Sequence, residues 1–427
     1  MTSSIPNFRH LRLLSMTVRH SSVNKAAAEA GLSQPAVTQA VAKLEQEFGC
    51  RLFDRSSTGV FPTESGVLLV ARVDRAFEFL SDAGKILATA REGNSQGLAL
   101  ERYVSTSQLK AIVALARHGS LAAAGRELGV SSPAVHRAAS QLEDIAGVTL
   151  FNRTAYGVSL TKHARVLARA ATLAFHEIEL GLQEVMSLQG RTIGRITIGS
   201  LPLAQSYIVP AALQVLSEKF PGVIISVVDG SYAVLTEGLR NGDIDIMIGA
   251  LRESQHEDDL EQEILFDDKL SILARRGHPL HRNPYIIIAD LAHYKWIVAR
   301  QGSPTREMFK RIFANRLDQV SDGIIETGSF SVIRELLRTT DRLALISPAQ
   351  AFREIAEGTL LPIRFRLEEG PRPIGLTLRK GYKPTEILNE LIGALKVAAA
   401  TPKALPLSTL SIFDEDFIAS PTDGRKE

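Results

Sequence analysis

The stretch Ser33 to Glu45, SQPAVTQAVAKLE, returns at an offset of 98 residues as Ser131 to Glu143, SSPAVHRAASQLE. The likeness spreads well beyond it. Over positions 10 to 66, 21 of 57 residues coincide at that offset, against about 4 expected from ordinary amino-acid usage. Coinciding pairs include His20 and His118, Gly31 and Gly129, Pro35 and Pro133, Phe53 and Phe151, Arg55 and Arg153, and Gly59 and Gly157. A sequence that repeats itself so closely folds into the same unit twice, so the front of the chain is two small domains rather than one large one.

Each copy reads as helix, turn, helix and hairpin. Phe8, Leu11, Leu14 and Val18 lie at helical spacing, and Ser22 then caps an Ala-rich helix that Gly31 ends. Ser33 and Ser131 open the next helix as N-caps whose hydroxyls are placed to accept first-turn amides, with Pro35 and Pro133 where a missing N–H costs little. Val37, Ala40, Val41 and Leu44, like Val135, Ala138, Ala139 and Leu142, form the inward stripe. Gln34, Thr38, Gln39 and Lys43 in one copy, and Ser132, His136 and Arg137 in the other, face outward. Gln bonds adenine and Arg bonds guanine in bidentate fashion, so these are groove-reading types and the two copies favour different base sequences. Residues 49–55 and 59–61 predict two short strands, a wing carrying Arg55 near its tip, as Arg153 is in the second copy, against phosphate or in a minor groove. For each copy the competing reading is a degenerate repeat kept for packing.

The expected boundaries are a winged domain at 1–62, a linker helix at 63–91, a flexible Gly-rich linker at 92–101, a second winged domain at 102–160 and a second linker helix at 161–190. The long helices, with Val67, Val70, Val73, Phe77, Leu80 and Leu87 along the first, exceed what a three-helix domain uses. They need a partner, inside the chain or on another copy.

From Arg195 strands and helices alternate. ITIGS (196–200), VIISVVDGS (223–231) and IDIMIGA (244–250) read as buried strands of a parallel α/β sheet. A second block begins near 268–275, and Leu360–Ile363 and Ile374–Leu378 read as the return to the first. This gives a two-lobed domain over 194–400, lobe I at 194–267 and 360–400 and lobe II at 268–359, then a mobile tail at 401–427. Ligands of such folds sit at the carboxyl ends of strands, where helix N-termini offer free N–H groups. Ser200, Ser231, Ser303 with Thr305, Ser329 and Ser347 fall there, beside Gly249, and Leu201, Tyr232, Phe330 and Pro348 are candidate apolar walls. Taken singly, each Ser reads first as an N-cap.

Bulk properties narrow the function. An apolar fraction of 45% with 22% charged residues marks a globular chain, and no apolar run approaches a membrane span. With no leader-like N-terminus either, the expected location is cytoplasmic. Residues 1–190 carry 20 Lys and Arg against 16 Asp and Glu, and 191–427 carry 29 against 31, a mild positive bias at the front. The lone cysteine, Cys50, excludes an intramolecular disulfide and reads as a packed thiol. No GxSxG, GxxxxGK or HExxH is present, and His278 and His281 flank a Pro turn as surface residues, so no catalysis, cofactor or metal is expected.

Ser33-Gln34-Pro35-Ala36-Val37 followed by Leu44-Glu45, Gly49, Leu52-Phe53-Asp54-Arg55 and Thr63-Glu64-Ser65-Gly66 closely resembles the N-terminal domain of LysR-type transcriptional regulators. The resemblance implies a dimerising linker helix and a two-lobed effector domain like the type 2 periplasmic binding proteins. Residues 195–400 resemble that domain in Gly222-Val223, in Leu239 to Asp245 and in Gly277-His278-Pro279-Leu280. LPLA at 201–204, Val228 to Tyr232 and Ile248 to Arg252 are most similar to the branch that includes regulators of sugar uptake and aromatic-acid catabolism. The departure is the duplication, with Ala164 in copy two where copy one has Gly66. The implied partners are double-stranded DNA and a sugar, aromatic or carboxylic-acid effector. A homo-oligomer is expected, a dimer rather than a tetramer, because two such chains already present four recognition helices. The competing reading is a small-molecule-binding protein or enzyme whose front domains serve assembly.

Overall fold

Asn7, Ser22 and Thr63 each turn a side-chain oxygen onto a first-turn amide, and between these caps the first repeat folds into α1 (Phe8–His20), α2 (Val23–Ala30), α3 (Gln34–Phe48), the hairpin β1 (Phe53–Ser56) and β2 (Gly59–Pro62), and α4 (Glu64–Ala88). The computed structural model describes residues 5–400 except 57–58, 91–98, 155–156, 253–257, 315–319, 321 and 369. The tail at 401–427 and most of the linker at 92–101 lie outside the described residues. After the linker, α5 (Leu100–Tyr103) is a short helix with Leu100 fully buried, so the chain is already anchored there. The second repeat follows as α6 (Thr106–His118), α7 (Leu121–Leu128), α8 (Ser132–Ala146), β3 (Phe151–Thr154), β4 (Gly157–Leu160) and α9 (Lys162–Leu188).

The two copies share one core. Leu69, Val73, Ala76, Leu80 and Leu87 of α4 form a single buried cluster with Leu167, Ala171, Ala174, Ile178 and Val185 of α9. The long helices therefore pair inside the chain, and they run antiparallel: Arg72 reaches Glu184 and Glu177, while Arg75, one turn on, reaches only back to Glu177. Phe8 stands edge-on to Phe77 at 5.8 Å and to Phe175 at 5.6 Å, two rings that are themselves counterparts at the 98-residue offset. Its backbone N–H donates to Thr106 Oγ1 at 2.9 Å, and Thr106 is the counterpart of Phe8. The copies are thus related by a local twofold, as in an isologous dimer.

The chain divides into two compact units, and the second is built mainly from the residues after Arg195. It contains β5 (Gly194–Ser200), β6 (Val223–Asp229), β7 (Ile246–Ala250), β8 (Leu260–Asp268), β9 (Ser271–Arg275), β10 (Trp296–Val298), β11 (Ile325–Glu326), β12 (Leu343–Ile346), β13 (Leu360–Pro362) and β14 (Arg372–Arg379). Lobe I is a sheet ordered β6-β5-β7-β14-β8, and lobe II a sheet ordered β11-β10-β12-β9-β13. Both are mixed: the parallel pairing expected of 196–200 and 244–250 holds, and antiparallel strands are added to it. β5 runs parallel to β7, but β14 is antiparallel to both β7 and β8. The cause is that β8 carries the chain out of lobe I and β14 carries it back, side by side in opposite directions. Leu360–Pro362 pairs with β9, so it belongs to lobe II and not to the return. Pro362 is tolerated because β13 is an edge strand. β6, expected to be buried, is likewise an edge, with Ile224, Val227 and Val228 exposed. Trp296 anchors lobe II, fully buried between Phe309 and Phe313, its indole N–H donating to Leu291 O at 3.0 Å.

Candidate DNA interface and effector site

On α3 the buried stripe is Val37, Ala40, Val41 and Leu44, and Ser33, Gln34, Pro35, Gln39 and Lys43 stand exposed with Thr38 half-buried. On α8 Val135, Ala139 and Leu142 are buried, Ala138 is half-buried, and Ser131, Pro133 and Arg137 are exposed with Ser132 and His136 intermediate. Two helices thus present polar side chains from a rigid base. One expectation needs correction. Ser33 and Ser131 occupy the N-cap with extended backbone, but neither hydroxyl makes a cap hydrogen bond. The helices are started by the prolines and by backbone bonds, Ala36 N–H to Ser33 O at 3.1 Å and Ala134 N–H to Ser131 O at 2.9 Å.

Each recognition helix is tied to its wing by the Glu that ends the repeated stretch. Glu45 Oε1 accepts from Leu52 N–H at 2.8 Å, and Glu143 Oε1 accepts from Leu150 N–H at 2.8 Å. Thr63 and Thr161 bind back the same way, donating to Arg51 O at 2.8 Å and Thr149 O at 3.0 Å while capping α4 and α9. Those residues hold the wing relative to the helix, a role visible in the sequence only as unexplained identities. The backbones of Arg55 and Arg153 lie one residue from the hairpin ends, opposite Val60 and Val158, while their side chains lie outside the described residues. A Cβ on Gly66 would lie 2.2 Å from Leu52 O, whereas copy two carries Ala164 at that position, although Thr63 N–H to Leu52 O and Thr161 N–H to Leu150 O are both 3.0 Å. Cys50 packs against the shared core, and burial pushes its thiol up.

In the second unit the candidates separate into groups. Ser347 is fully buried and donates to Asp268 Oδ1; Arg372 donates to Asp268 Oδ2 at 2.9 Å and to Thr305 Oγ1 at 2.8 Å. Asp268 ends β8 and Arg372 begins β14, paired in register where the chain crosses between lobes, so this network joins lobe II to both crossing strands. Burial pushes the Asp268 carboxyl above the usual range, against the opposing pull of Arg372 and Ser347. Tyr207 stands close enough to feel that charge: burial first, then Asp268, push its phenol up to about 12. Its ring meets Phe352 of lobe II edge-on at 6.0 Å. Asp268, Arg372 and Tyr207 escaped sequence reasoning because only the folded crossing brings them together.

Ser200, Leu201 and Gly249 form a second group at the ends of β5 and β7, where Leu201 N–H donates to Ile248 O at 2.9 Å and a Cβ on Gly249 would strike Leu201. Tyr232 belongs to the lobe I core rather than to an open wall, with the Arg252 guanidinium 3.9 Å over its ring. Ser231 and Ser303 act as caps, to Val234 N–H at 3.3 Å and Arg306 N–H at 3.2 Å. Ser329 makes no cap bond and is exposed, Phe330 packs against a lobe II core, and Pro348 is buried. His278 is no surface residue. It is 1% exposed, its Nδ1 accepting from Leu280 N–H at 3.2 Å, and burial lowers its pKa.

Residues 8–67 and 106–165 both match the bacterial regulatory helix-turn-helix protein family, lysR type, and residues 189–400 match the LysR substrate binding domain. The HTH-type transcriptional regulator GalR of Pseudomonas putida is 32% identical over 377 residues, covering 88% of this chain and 93% of its own length. The chain belongs to the LysR family. It is a DNA-binding transcriptional regulator with an effector-binding domain, and its curated relatives are regulators rather than enzymes. An aligned stretch of 377 residues cannot fit between the start of copy two and the end of the chain, so it reaches into both copies. PcaQ of Agrobacterium fabrum is 29% identical over 303 residues, 70% of this chain and 96% of that protein. Among solved structures, ArgP from Mycobacterium tuberculosis superposes with a TM-score of 0.54 at 18% identity, over 69% of this chain and 96% of that one, and supports the fold.

Proposed function

We propose that this regulator reads DNA with both repeats, through Ser33, Gln34, Pro35, Thr38, Gln39, Lys43 and Arg55 in the first and Ser131, Ser132, Pro133, His136, Arg137 and Arg153 in the second. The carrying observation is that two recognition helices with exposed, dissimilar polar faces stand on one shared core. Gln39→Ala and Arg137→Ala each weaken binding at one half of the operator by about 1–3 kcal/mol, and at different halves. A footprint series over single-base operator variants checks this, and equal loss at every sequence for both variants removes them from base reading.

The effector site lies where the lobes meet, around Ser200, Leu201, Thr305 and Ser347 with Asp268, Arg372 and Tyr207. Hydroxyls, a guanidinium and aromatic rings together suit a small hydroxylated or aromatic carboxylic acid, the class to which the sequence resemblance points. Bound there, it changes DNA affinity only through unequal affinity for two lobe arrangements. Titrating sugars and aromatic acids against the full chain, with operator bending as readout, tests it. The exposed apolar edge of β6, with Val215 and Val234 also exposed, supports a homodimer through this domain, in a cytoplasmic setting. Light scattering on operator DNA gives two chains for the dimer and four for a tetramer.

A further inference from the structure

We infer that the two long helices carry a pairing code that admits one combination, a copy-one helix with a copy-two helix, which the fold makes within one chain, so that each chain is a complete and asymmetric DNA-reading unit. The consequence for DNA rests on the reading proposed above; the pairing itself does not.

A twofold related pair of identical helices has two equivalent contact sites. Here the two sites are opposite in character. At one, Arg72 Nη1 lies 3.0 Å from Glu177, Arg72 Nε 2.9 Å from Glu184, and Arg75 3.3 Å from Glu177. Arg72 is 4% and Glu177 1% exposed. At the counterpart positions, 98 residues away, Arg72 and Arg75 become Ala170 and Leu173, while Glu177 and Glu184 become Phe79 and Ile86. Every charge is replaced by an apolar side chain. The small residue follows suit: a Cβ on Gly181 would crowd the stem of Arg72 at 3.2 Å, and its counterpart is the larger Ala83, where Ala170 stands in for the arginine.

Two copies of α4 set against each other would place Arg72 twice against the half-buried Phe79 and the exposed Ile86 in place of Glu177 and Glu184, and two copies of α9 would bury Glu177 twice against Ala170 and Leu173. Both leave charge without counter-charge, which excludes them far more strongly than the native pair is favoured. The axis repeats the lesson by shape. Phe8 fills it between Phe77 and Phe175, whereas its counterpart is Thr106. Two copy-one domains would crowd two Phe8 rings into one site, and two copy-two domains would leave it empty.

The test uses the full chain. Arg72→Glu with Arg75→Glu, and Glu177→Arg with Glu184→Arg, each lower the melting temperature of the N-terminal unit by on the order of 10 °C, and the four changes together restore most of it. A fourfold variant as unstable as either pair overturns the code. Hydrogen exchange on the unmodified chain supplies the second reading, needing no variant to fold. Amides of Glu64–Ala88 and Lys162–Leu188 keep their protection on serial dilution; protection lost on dilution shows pairing between chains and overturns the single-chain unit. Neither readout contains DNA, so a failure of base reading alone leaves both unchanged.

Discussion

Arg72 in the helix seam and Arg372 at the lobe crossing are both arginines held by carboxylates, yet their surroundings differ in the balance of charge. In the seam two cations, Arg72 and Arg75, close on two anions, Glu177 and Glu184. Burial works against the charge on Arg72, but Glu184 and Glu177 outweigh it and hold the guanidinium more firmly protonated than a free arginine. At the crossing a single guanidinium and a hydroxyl face Asp268, and they do not fully offset the burial that raises its pKa. A saturated cluster has nothing to gain from rearranging. An undersupplied one takes up a proton more readily than a free carboxylate.

The largest effect follows from breaking the saturated side. Arg72→Ala leaves Glu184 without its cation and Glu177 with Arg75 alone, and costs about 3–5 kcal/mol of N-terminal unit stability, read by denaturant unfolding. Arg372→Ala is milder, about 1–2 kcal/mol, because Asp268 already inclines to take up a proton and retains Ser347. Its main effect is on the effector: the dose needed to shift operator bending changes while DNA affinity without effector does not. If Arg372→Ala unfolds the chain as readily as Arg72→Ala, the contrast between the charge-balanced seam and the underbalanced crossing collapses.

Much of the front half was legible because its signals are local. The inward stripes, the wings and both long helices follow from spacing and caps within one repeat. What the repeat did not reveal is that α4 pairs with α9 of its own chain, since that depends on residues such as Arg72 and Glu177 lying 105 apart in sequence. The back half was less legible for related reasons. β8 reads LEQEILFDD, too polar to announce a strand, because it is an edge with most side chains exposed. Leu360–Pro362 looked like the return to lobe I because its apolar run says nothing of which sheet it joins. Asp268 and Arg372 meet only through β14 pairing with β8.

The pH dependence of the second unit sharpens the contrast further. The folded pKa of Asp268 is raised, so the folded state holds its proton more tightly than the unfolded chain does. Its contribution to stability is therefore present at low pH and lost as pH rises from about 4 through the folded pKa. Asp268→Asn removes that slope, seen as a smaller difference in melting temperature between mildly acidic and neutral buffer.

The smallest effect has the opposite sign and comes from lobe II. His278 is buried with its Nδ1 accepting from Leu280 N–H and its Nε2 3.2 Å from Asp341 O, which it satisfies as a neutral ring donating from Nε2. Burial lowers its pKa, with the backbone bond to Asp341 opposing, and burial lowers that of neighbouring His281 as well. Protonating Nδ1 would turn an acceptor into a donor facing Leu280 N–H. The folded state therefore binds fewer protons than the unfolded chain in the window below about 6.5, and stability present above it is lost as pH falls toward the folded pKa. His278→Gln keeps an acceptor and a donor but cannot titrate, so it lowers stability modestly at neutral pH and flattens the decline between pH about 6.5 and 5. Following unfolding of the full chain across that range, with Asp268→Asn as background to remove the opposing slope, isolates the contribution of His278. An undiminished decline in His278→Gln assigns the acid sensitivity to His281 or to the first unit instead.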